Sequence, residues 1–490
     1  MSKLLSDSPS CSLVENLEIK GRIDAAYYAS KYLHLDDQLS DLPKAKISRL
    51  GDLLKSPRRV LYQNTKTYDS NDAPASAVPF ISGVDLDGDT MGIKWDSVKY
   101  VEDWMAEKYP KGKLFSGALL IKVKGPNQHT VYISDNKKNA LVSGTVFFSG
   151  VKSCNPYYLT CYLSSKAGVE WRSRLRTNTT VEFIGNEELR NVPVYLPCEK
   201  IQSYIGAKLE LAEKCRKESE VLWSELNKNI EQFFIGTPSL DARSNFNKVD
   251  SDELTPNRMD AWFYQKKFMD LYGHIQSSRN FVQITSIAEL VPASKRARKP
   301  SGLESINYIE ISSIDVFSSV INPSVLECGN LPASAKKTLK AGNLIASTVR
   351  VNRKCIAVVP SHLDDSVGSN ALAVLETSSI EDTYYLEAIL KHDVSTAQIM
   401  RWNTGSVYPT ISEDVFGRIL IPNVDPITRK KLGRMGKQRS ELLYKSISLI
   451  AEAKSEVEAL IEGKLDTDAI LSGKLKAPTW EDIEKELEGI

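Results

Sequence analysis

Two long stretches of the chain repeat apolar side chains at intervals of three and four with charges between them, the pattern of an amphipathic helix. Between Glu199 and Phe234 the apolar positions are Ile201, Ile205, Leu209, Ala212, Leu222, Leu226, Ile230 and Phe233. Later, Leu432, Met435, Leu442, Leu449, Ala453 and Leu460 do the same, and Leu443, Ile447, Ile450, Val457 and Ile461 widen the stripe. About 36 residues at 1.5 Å rise make a rod of roughly 54 Å. A lone helix would expose such a seam to water, so the two are expected to pack on each other as an antiparallel coiled coil.

Ahead of each helix, strand-like runs punctuated by glycine come in matching order, so the chain reads as one design written twice. GRIDAAYYASKY (Gly21 to Tyr32) returns as NRMDAWFYQKKF (Asn257 to Phe268). Arg22, Asp24, Tyr28 and Lys31 of the first recur as Arg258, Asp260, Tyr264 and Lys267. KISRLGDLL (Lys46 to Leu54) is set against QITSIAELV (Gln283 to Val291), and AVPFISGVDLDGDTM (Ala77 to Met91) against INYIEISSIDVFSSV (Ile306 to Val320). KLFSGALLIKVKG (Lys113 to Gly125) matches TLKAGNLIASTVRV (Thr338 to Val351), and NPYYLTCYLSS (Asn155 to Ser165) matches DTYYLEAILKH (Asp382 to His392). An Arg-containing polar turn follows in each copy, ending at Pro197 and at Pro422, which stand closer together than Arg22 and Arg258 do. The shrinking offset is what insertions in surface loops produce. The expected architecture is α+β: a first unit over 1–197, a helix over 198–236, a polar linker over 237–256, a second unit over 257–422, a second helix over 423–465, and a tail over 466–490. The two units are expected to be related by a pseudo-twofold. The tail has no counterpart and is expected either to fold back on the rod or to offer a further contact surface.

Composition adds limits. At 490 residues several cores are possible; 42% hydrophobic and 26% charged residues are ordinary globular values, and a net charge of +1 gives no overall attraction to polyanions, so any such site must be local. The seven cysteines are scattered without a Cys-x-x-Cys pair, which argues against a disulfide framework or a zinc site and for reduced thiols. The opening MSKLLSDSPSCSLVENLEIK is polar, and no run approaches the roughly 20 apolar residues of a membrane span. A cytoplasmic chain is expected.

No P-loop, dinucleotide fingerprint, His-Glu-x-x-His or nucleophile elbow is present, and His34, His129, His274, His362 and His392 lack ligand spacing. Neither a catalytic residue nor a metal ligand is expected. Asn155-Pro156-Tyr157-Tyr158 resembles the loop with which amino-methyltransferases grip a flipped base, but no Gly-rich S-adenosylmethionine turn precedes it, and the second copy reads Asp382-Thr383-Tyr384-Tyr385 without proline. The shared Tyr-Tyr-Leu is read as core at a helix start. Basic residues are the better lead. The first unit carries Arg58 and Arg59, then Arg172, Arg174 and Arg176 with Asn178 in the turn; the second carries Lys295, Arg296, Arg298 and Lys299, then Arg350, Arg353 and Lys354, then Arg401 with Asn403 and Ser406. Arg and Lys beside Asn, Ser and Gly suit phosphate clamping and base-edge hydrogen bonding.

The duplicated order of Arg-x-Asp-Ala-x-x-Tyr, strand-rich body, Tyr-Tyr-Leu helix, polar turn (Asn403-Thr404-Gly405-Ser406), a strand ending in Leu-Pro or Ile-Pro and a long helix resembles the specificity (S) subunit of type I restriction-modification systems over about residues 18 to 465. The first-copy turn, Thr177-Asn178-Thr179-Thr180, lacks the Gly-Ser of the second. The resemblance implies a non-catalytic, double-stranded-DNA-binding subunit. Its two target recognition domains would each read half of a split site. Its helices would act as spacer and as dock for two methyltransferase (M) subunits, joined by restriction (R) subunits, with S-adenosylmethionine, ATP and Mg carried by those partners. Arg22, Asp24 and Tyr28, like Arg258, Asp260 and Tyr264, are then expected to form structural ion pairs or docking contacts that brace each head against the rod. The stretches Pro57 to Ala77 and Ala293 to Ser305 differ between copies, which predicts an asymmetric target, and the rod exceeds one turn of B-DNA, roughly 34 Å, which predicts unread base pairs between the halves. A stand-alone DNA-binding regulator, a coiled-coil structural adaptor and an intact methyltransferase are the rival readings.

Overall fold

The computed structural model describes residues 3–7, 10–13, 25–43, 46–63, 65–126, 128–136, 138–177, 181–240, 247–256, 258–291, 305–405 and 407–488, with side chains from Ala25 onward. Two compact units emerge, Met1–Arg216 with Lys445–Ile490, and Lys217–Tyr444. Each takes part of both long helices, so the compact units are not the sequence repeats themselves.

In the first unit Leu54–Arg58, Val146–Val151, Ala118–Lys122 and Thr130–Ile133 form an antiparallel sheet in that order. Ala118–Lys122 is buried at every position, the run of a strand covered on both faces. A three-stranded sheet, Lys99–Val101, Val78–Ile81 and Leu141–Val142, has one parallel pair, Ile81 opposite Val142. Ile81, Leu86, Leu120, Val142 and Phe148 share one core.

The second unit repeats this plan. Ala288–Leu290, Leu372–Thr377, Leu344–Ser347 and Ile356–Val358 form the antiparallel sheet. Ser324–Glu327, Ser305–Ile309, Ser366–Ser369 and Ala335–Leu339 form the mixed one, again with one parallel pair, Ile309 opposite Gly368. A two-stranded ribbon closes each body: Ile47–Arg49 with Pro193–Tyr195, and Phe281–Gln283 with Leu420–Pro422.

These pairings correct two of the sequence correspondences. Leu50 and Ile284 each start a 3-10 turn and each donate N–H to the residue before the closing ribbon, Val192 and Ile419, so KISRLGDLL is displaced by three positions from its proper match. The bridges Leu86 to Ile93 and Ile314 to Ile321 put the second pair one position out. Gly117 and Gly342, at φ +81° and +83°, do fall where the sequence match puts them, at the same offset as Pro197 and Pro422.

The long helices are Glu199–Gln232 and Pro426–Ile461. In the first unit the Ser446 hydroxyl donates to the Ala212 carbonyl at 2.9 Å, Lys208 pairs with Glu452 and Glu456 at 3.2 and 2.8 Å, and the Tyr204 hydroxyl donates to Glu456 at 2.9 Å. In the second unit Arg439 lies over the Trp223 ring at 4.3 Å, and Gly436 faces Leu226. Within each unit numbers rise along one helix as they fall along the other, so the pairing is antiparallel. Ile205, Leu209, Ala212, Leu226 and Ile230 are buried, as are Leu449, Ala453 and Val457. Cys215 and Ser219 fill the gap that apolar counting leaves between Ala212 and Leu222.

The Tyr-Tyr-Leu helices are Pro156–Ser164 and Ile380–Lys391. Tyr158 and Tyr385 are fully buried, and their hydroxyls point at the carbonyls of Tyr195 and Pro422, at 2.6 and 3.5 Å. Asn155 caps its helix by accepting from Tyr158 N–H at 3.0 Å, so the methyltransferase-like tetrapeptide is a helix start. Each such helix meets a glycine of a long helix. A Cβ on Gly433 would stand 2.0 Å from the Glu381 carbonyl oxygen, too short for any side chain, and one on Gly206 would stand 2.6 Å from Asn155 Oδ1 and displace that helix cap.

The tail folds back within the first unit. Trp480 of Trp480–Glu488 lies under Lys214 Nζ at 4.0 Å, Glu486 pairs with Lys445 at 2.8 Å, and Ile483 is buried. Among the described residues no helix is long and apolar enough to cross a membrane.

Candidate nucleic-acid interface

In both units the polar turn is pinned to the end of a central strand by the same two backbone bonds and closed on itself by a third. In the first, Ile184 N–H donates to Val123 (2.9 Å), Gly125 N–H to Glu182 (2.9 Å) and Thr177 N–H to Phe183 (3.0 Å). In the second, Ile411 donates to Thr348 (3.0 Å), Arg350 to Pro409 (2.6 Å) and Thr404 to Thr410 (2.8 Å). The framework is common, while the side chains it presents differ.

On the first turn Arg176 pairs with Glu182. Arg59 donates to the Gly144 carbonyl at 2.8 Å and lies over the Phe183 ring at 5.2 Å, and burial lowers its pKa from the ordinary guanidinium value. Arg58 lies over Phe115 at 5.3 Å. The fold thus gathers Arg59 and Arg176, from two separate basic stretches of the sequence, beside one turn.

On the second turn Arg350 has φ +55°, the left-handed conformation, where its counterpart Gly125 has φ +85°. Glycine adopts such a backbone freely, whereas another residue held there costs on the order of 1–3 kcal/mol. The Arg350 guanidinium lies 4.1 Å from the centre of the Tyr408 ring, itself half exposed beside the exposed Val407. Asn403 shapes this turn: its Oδ1 accepts from Gly405 and Thr410 N–H at 2.9 and 2.8 Å. It is a scaffold for the turn, which corrects its reading as a base contact. Arg353 is exposed next to it, and Lys354 pairs with Asp393.

Three other candidates are corrected by burial. Arg172 is completely buried and donates to the carbonyls of Gln128 and Leu163 at 2.8 and 2.6 Å; desolvation pushes its pKa down to about 9. Arg174 is buried, paired with Asp36 at 2.7 Å, and donates to the Tyr27 carbonyl at 2.9 Å. Arg401 is buried and donates to the Phe263 carbonyl at 3.4 Å. Each of these arginines bonds to the backbone of a distant segment, and none is exposed for a DNA backbone to lie against. Asn178, Lys295, Arg296, Arg298, Lys299 and Ser406 lie outside the described residues, as do Arg22 and Asp24.

The repeated opening motif has a definite role in the second unit. Arg258 pairs with Asp260 at 2.8 Å and donates to the carbonyls of Trp402 and Asn403 at 3.1 and 3.0 Å, just past the end of helix Asp393–Arg401. A cation there satisfies orphan carbonyls and the helix dipole. Asp260 accepts from Phe263 N–H at 3.0 Å, and the Tyr264 hydroxyl donates to the Arg258 carbonyl at 2.8 Å. The ion pair is present, but these contacts brace the short helix and the root of the turn, which corrects the expected brace against the rod. Tyr28 sits half-buried beside Tyr27, whose ring lies 4.2 Å from the Arg174 guanidinium. Sequence reasoning missed Tyr408 and Phe183, the rings on which these arginines lie; their one signal was position, each at the end of its polar turn.

The geometry describes a repeated α+β body and a pair of antiparallel long helices. No protein-family model and no curated protein matches the sequence. Solved structures do. The chain is similar to the type I restriction-modification S subunit from M. genitalium at 14% identity, over 85% of this chain and 94% of that one, with a TM-score of 0.36. It is similar to the HsdS subunit from Thermoanaerobacter tengcongensis at 15% identity, over 89% and 98%, with a TM-score of 0.26. A chain from a structure of type I R-M complex assembly and conformational transition gives 15%, 88%, 98% and 0.26.

Proposed function

We propose that the chain is the DNA-reading specificity subunit of a type I restriction-modification complex, without chemistry of its own, whose two heads each read one half of an asymmetric, interrupted site. The observation that carries this reading is the turn pinned identically in both units yet tipped differently, with Gly125, Arg59 and Phe183 in one and Arg350 and Tyr408 in the other. A shared frame with divergent tips suits two half-sites of different sequence, since base edges are read by side chains while the framework fixes register. With a net charge of +1, binding would be local and strengthened by partners. The paired helices are the proposed dock for two M subunits, and R subunits complete the complex; S-adenosylmethionine, ATP and Mg reside on those partners. The test is to produce the full chain with the subunits that co-purify with it and to map methylated bases by single-molecule sequencing. A two-part, non-palindromic motif with a fixed unread spacer is expected; a continuous palindrome, or no sequence-dependent methylation, would sink the reading.

A further inference from the structure

Arg174 and Arg401 end equivalent helices, Lys166–Arg174 and Asp393–Arg401, each directly after a Tyr-Tyr-Leu helix. Each is buried and each donates to the backbone of the opening motif. They differ in counter-charge. Arg174 Nη1 meets Asp36 Oδ2 at 2.7 Å. Asp36 lies on Ser30–Ser40, which matches Lys266–Ser277 position for position: buried Tyr32, Leu35 and Leu39 recur as Phe268, Leu271 and Ile275, at the offset that separates Arg22 from Arg258. At that offset Asp36 corresponds to Tyr272, so the second unit has no carboxylate at this position.

Arg401 has no carboxylate partner among the described residues; it contacts the Phe263 carbonyl and Met269 Sδ, both at 3.4 Å. A buried cation without a counter-ion is costly. Its guanidinium lies 4.0 Å from the Phe263 ring centre and 4.2 Å from that of Tyr272. Nε and Nη2 already meet the Phe263 carbonyl and Met269 Sδ, which leaves the Nη1 edge, among the described contacts, to take a carboxylate or phosphate oxygen. That side chain lines a cavity of about 240 Å³ together with Tyr272, Gln283, Gln398, Trp402 and Arg418. Arg418 lies over Trp402 at 4.6 Å and adds a second cation, shared with Asp414 at 2.6 Å.

We propose that this cavity is an anion site that takes a carboxylate or phosphate group on Arg401, the charge that Asp36 supplies from within the other copy. The aromatic walls favour an anion carried on a flat apolar body, so benzoate and inorganic phosphate are the two probes. Thermal unfolding of the full chain is followed in each, against chloride at matched ionic strength. At least one probe should raise the midpoint above chloride in a saturable way, as a ligand specific to the folded state does. In Tyr272→Asp that excess should vanish, affinity falling about tenfold or more because the site is filled from within, and the variant should unfold above wild type in chloride. Phosphate also stabilises proteins generally by exclusion, but that part survives in Tyr272→Asp and is subtracted. Calorimetric titration of Arg418→Gln with the active probe gives a second readout, with affinity expected to drop a few-fold. No excess over chloride in wild type, an excess that persists in Tyr272→Asp, or an unchanged affinity in Arg418→Gln would each overturn the site.

Discussion

At the scale of single residues, the sequence showed which side chains were charged but not which were inside. Arg172, Arg174 and Arg401 read as a basic cluster because they stand near polar turns; their burial follows from helix faces and from carbonyls brought close by distant segments. Lys391 is a further case. It ends its helix buried, with Nζ donating to Val316 O at 3.0 Å and to Ser319, and burial lowers its pKa to about 8. Because the folded value lies below the ordinary 10.5, the unfolded chain binds the extra proton between them. Stability from this group therefore rises as pH climbs from about 8 and is lowest, and flat, below it. In urea unfolding, wild type should gain on the order of 2 kcal/mol relative to Lys391→Met between about pH 8 and pH 10; a pH-independent difference would refute it. The two buried tyrosines give a graded comparison. Tyr158→Phe strips a 2.6 Å partner from a buried carbonyl and should cost about 1–2 kcal/mol, while Tyr385→Phe removes only a 3.5 Å contact and should cost under about 0.5 kcal/mol. Equal losses in denaturant titrations would show that the two hydroxyls are not so different.

Elements were more legible than residues. The long helices and the Tyr-Tyr-Leu helices stand out because a helical period and a repeated tripeptide survive divergence. Strand register did not. KISRLGDLL was slipped by three because the sequence offers the same alternation at several offsets, whereas the real match is fixed by Leu50 and Ile284 bonding to Val192 and Ile419 across the body. The seam between the helices also hides a close approach. Ala212 and Ala453 are fully buried, and Ser446 bonds across to the Ala212 carbonyl, so the backbones approach where side chains are small. Ala453→Leu should destabilise the chain by about 1–3 kcal/mol through overpacking. Neutralising the half-exposed Glu452 should cost under about 1 kcal/mol, as exposed ion pairs do. A tolerated leucine in thermal melts would mean that the seam is looser than its burial implies.

For the molecule as a whole, the duplication separates what holds the frame from what it presents. Features common to both copies, the pinned turn, the closing ribbon and the buried Arg after the Tyr-Tyr-Leu helix, are framework. On the proposed DNA-reading function, features that differ are where recognition would reside. Arg350 is the sharpest difference, since it holds a left-handed backbone that Gly125 adopts without strain in the other copy. An arginine in that backbone, with its guanidinium 4.1 Å from the half-exposed Tyr408 ring, makes the side chain the part to test. Arg350→Gly should therefore leave folding intact or raise stability by up to about 1 kcal/mol, the relief of left-handed strain less the extra freedom glycine gives the unfolded chain. In the assembled complex it should relax the sequence requirement in one half of the methylated motif and leave the other half and the spacer unchanged. Tyr408→Ala should relax the same half without any gain in stability. Loss of methylation at every sequence alike would return Arg350 to the framework, and relaxation of both halves would break the link between one head and one half-site.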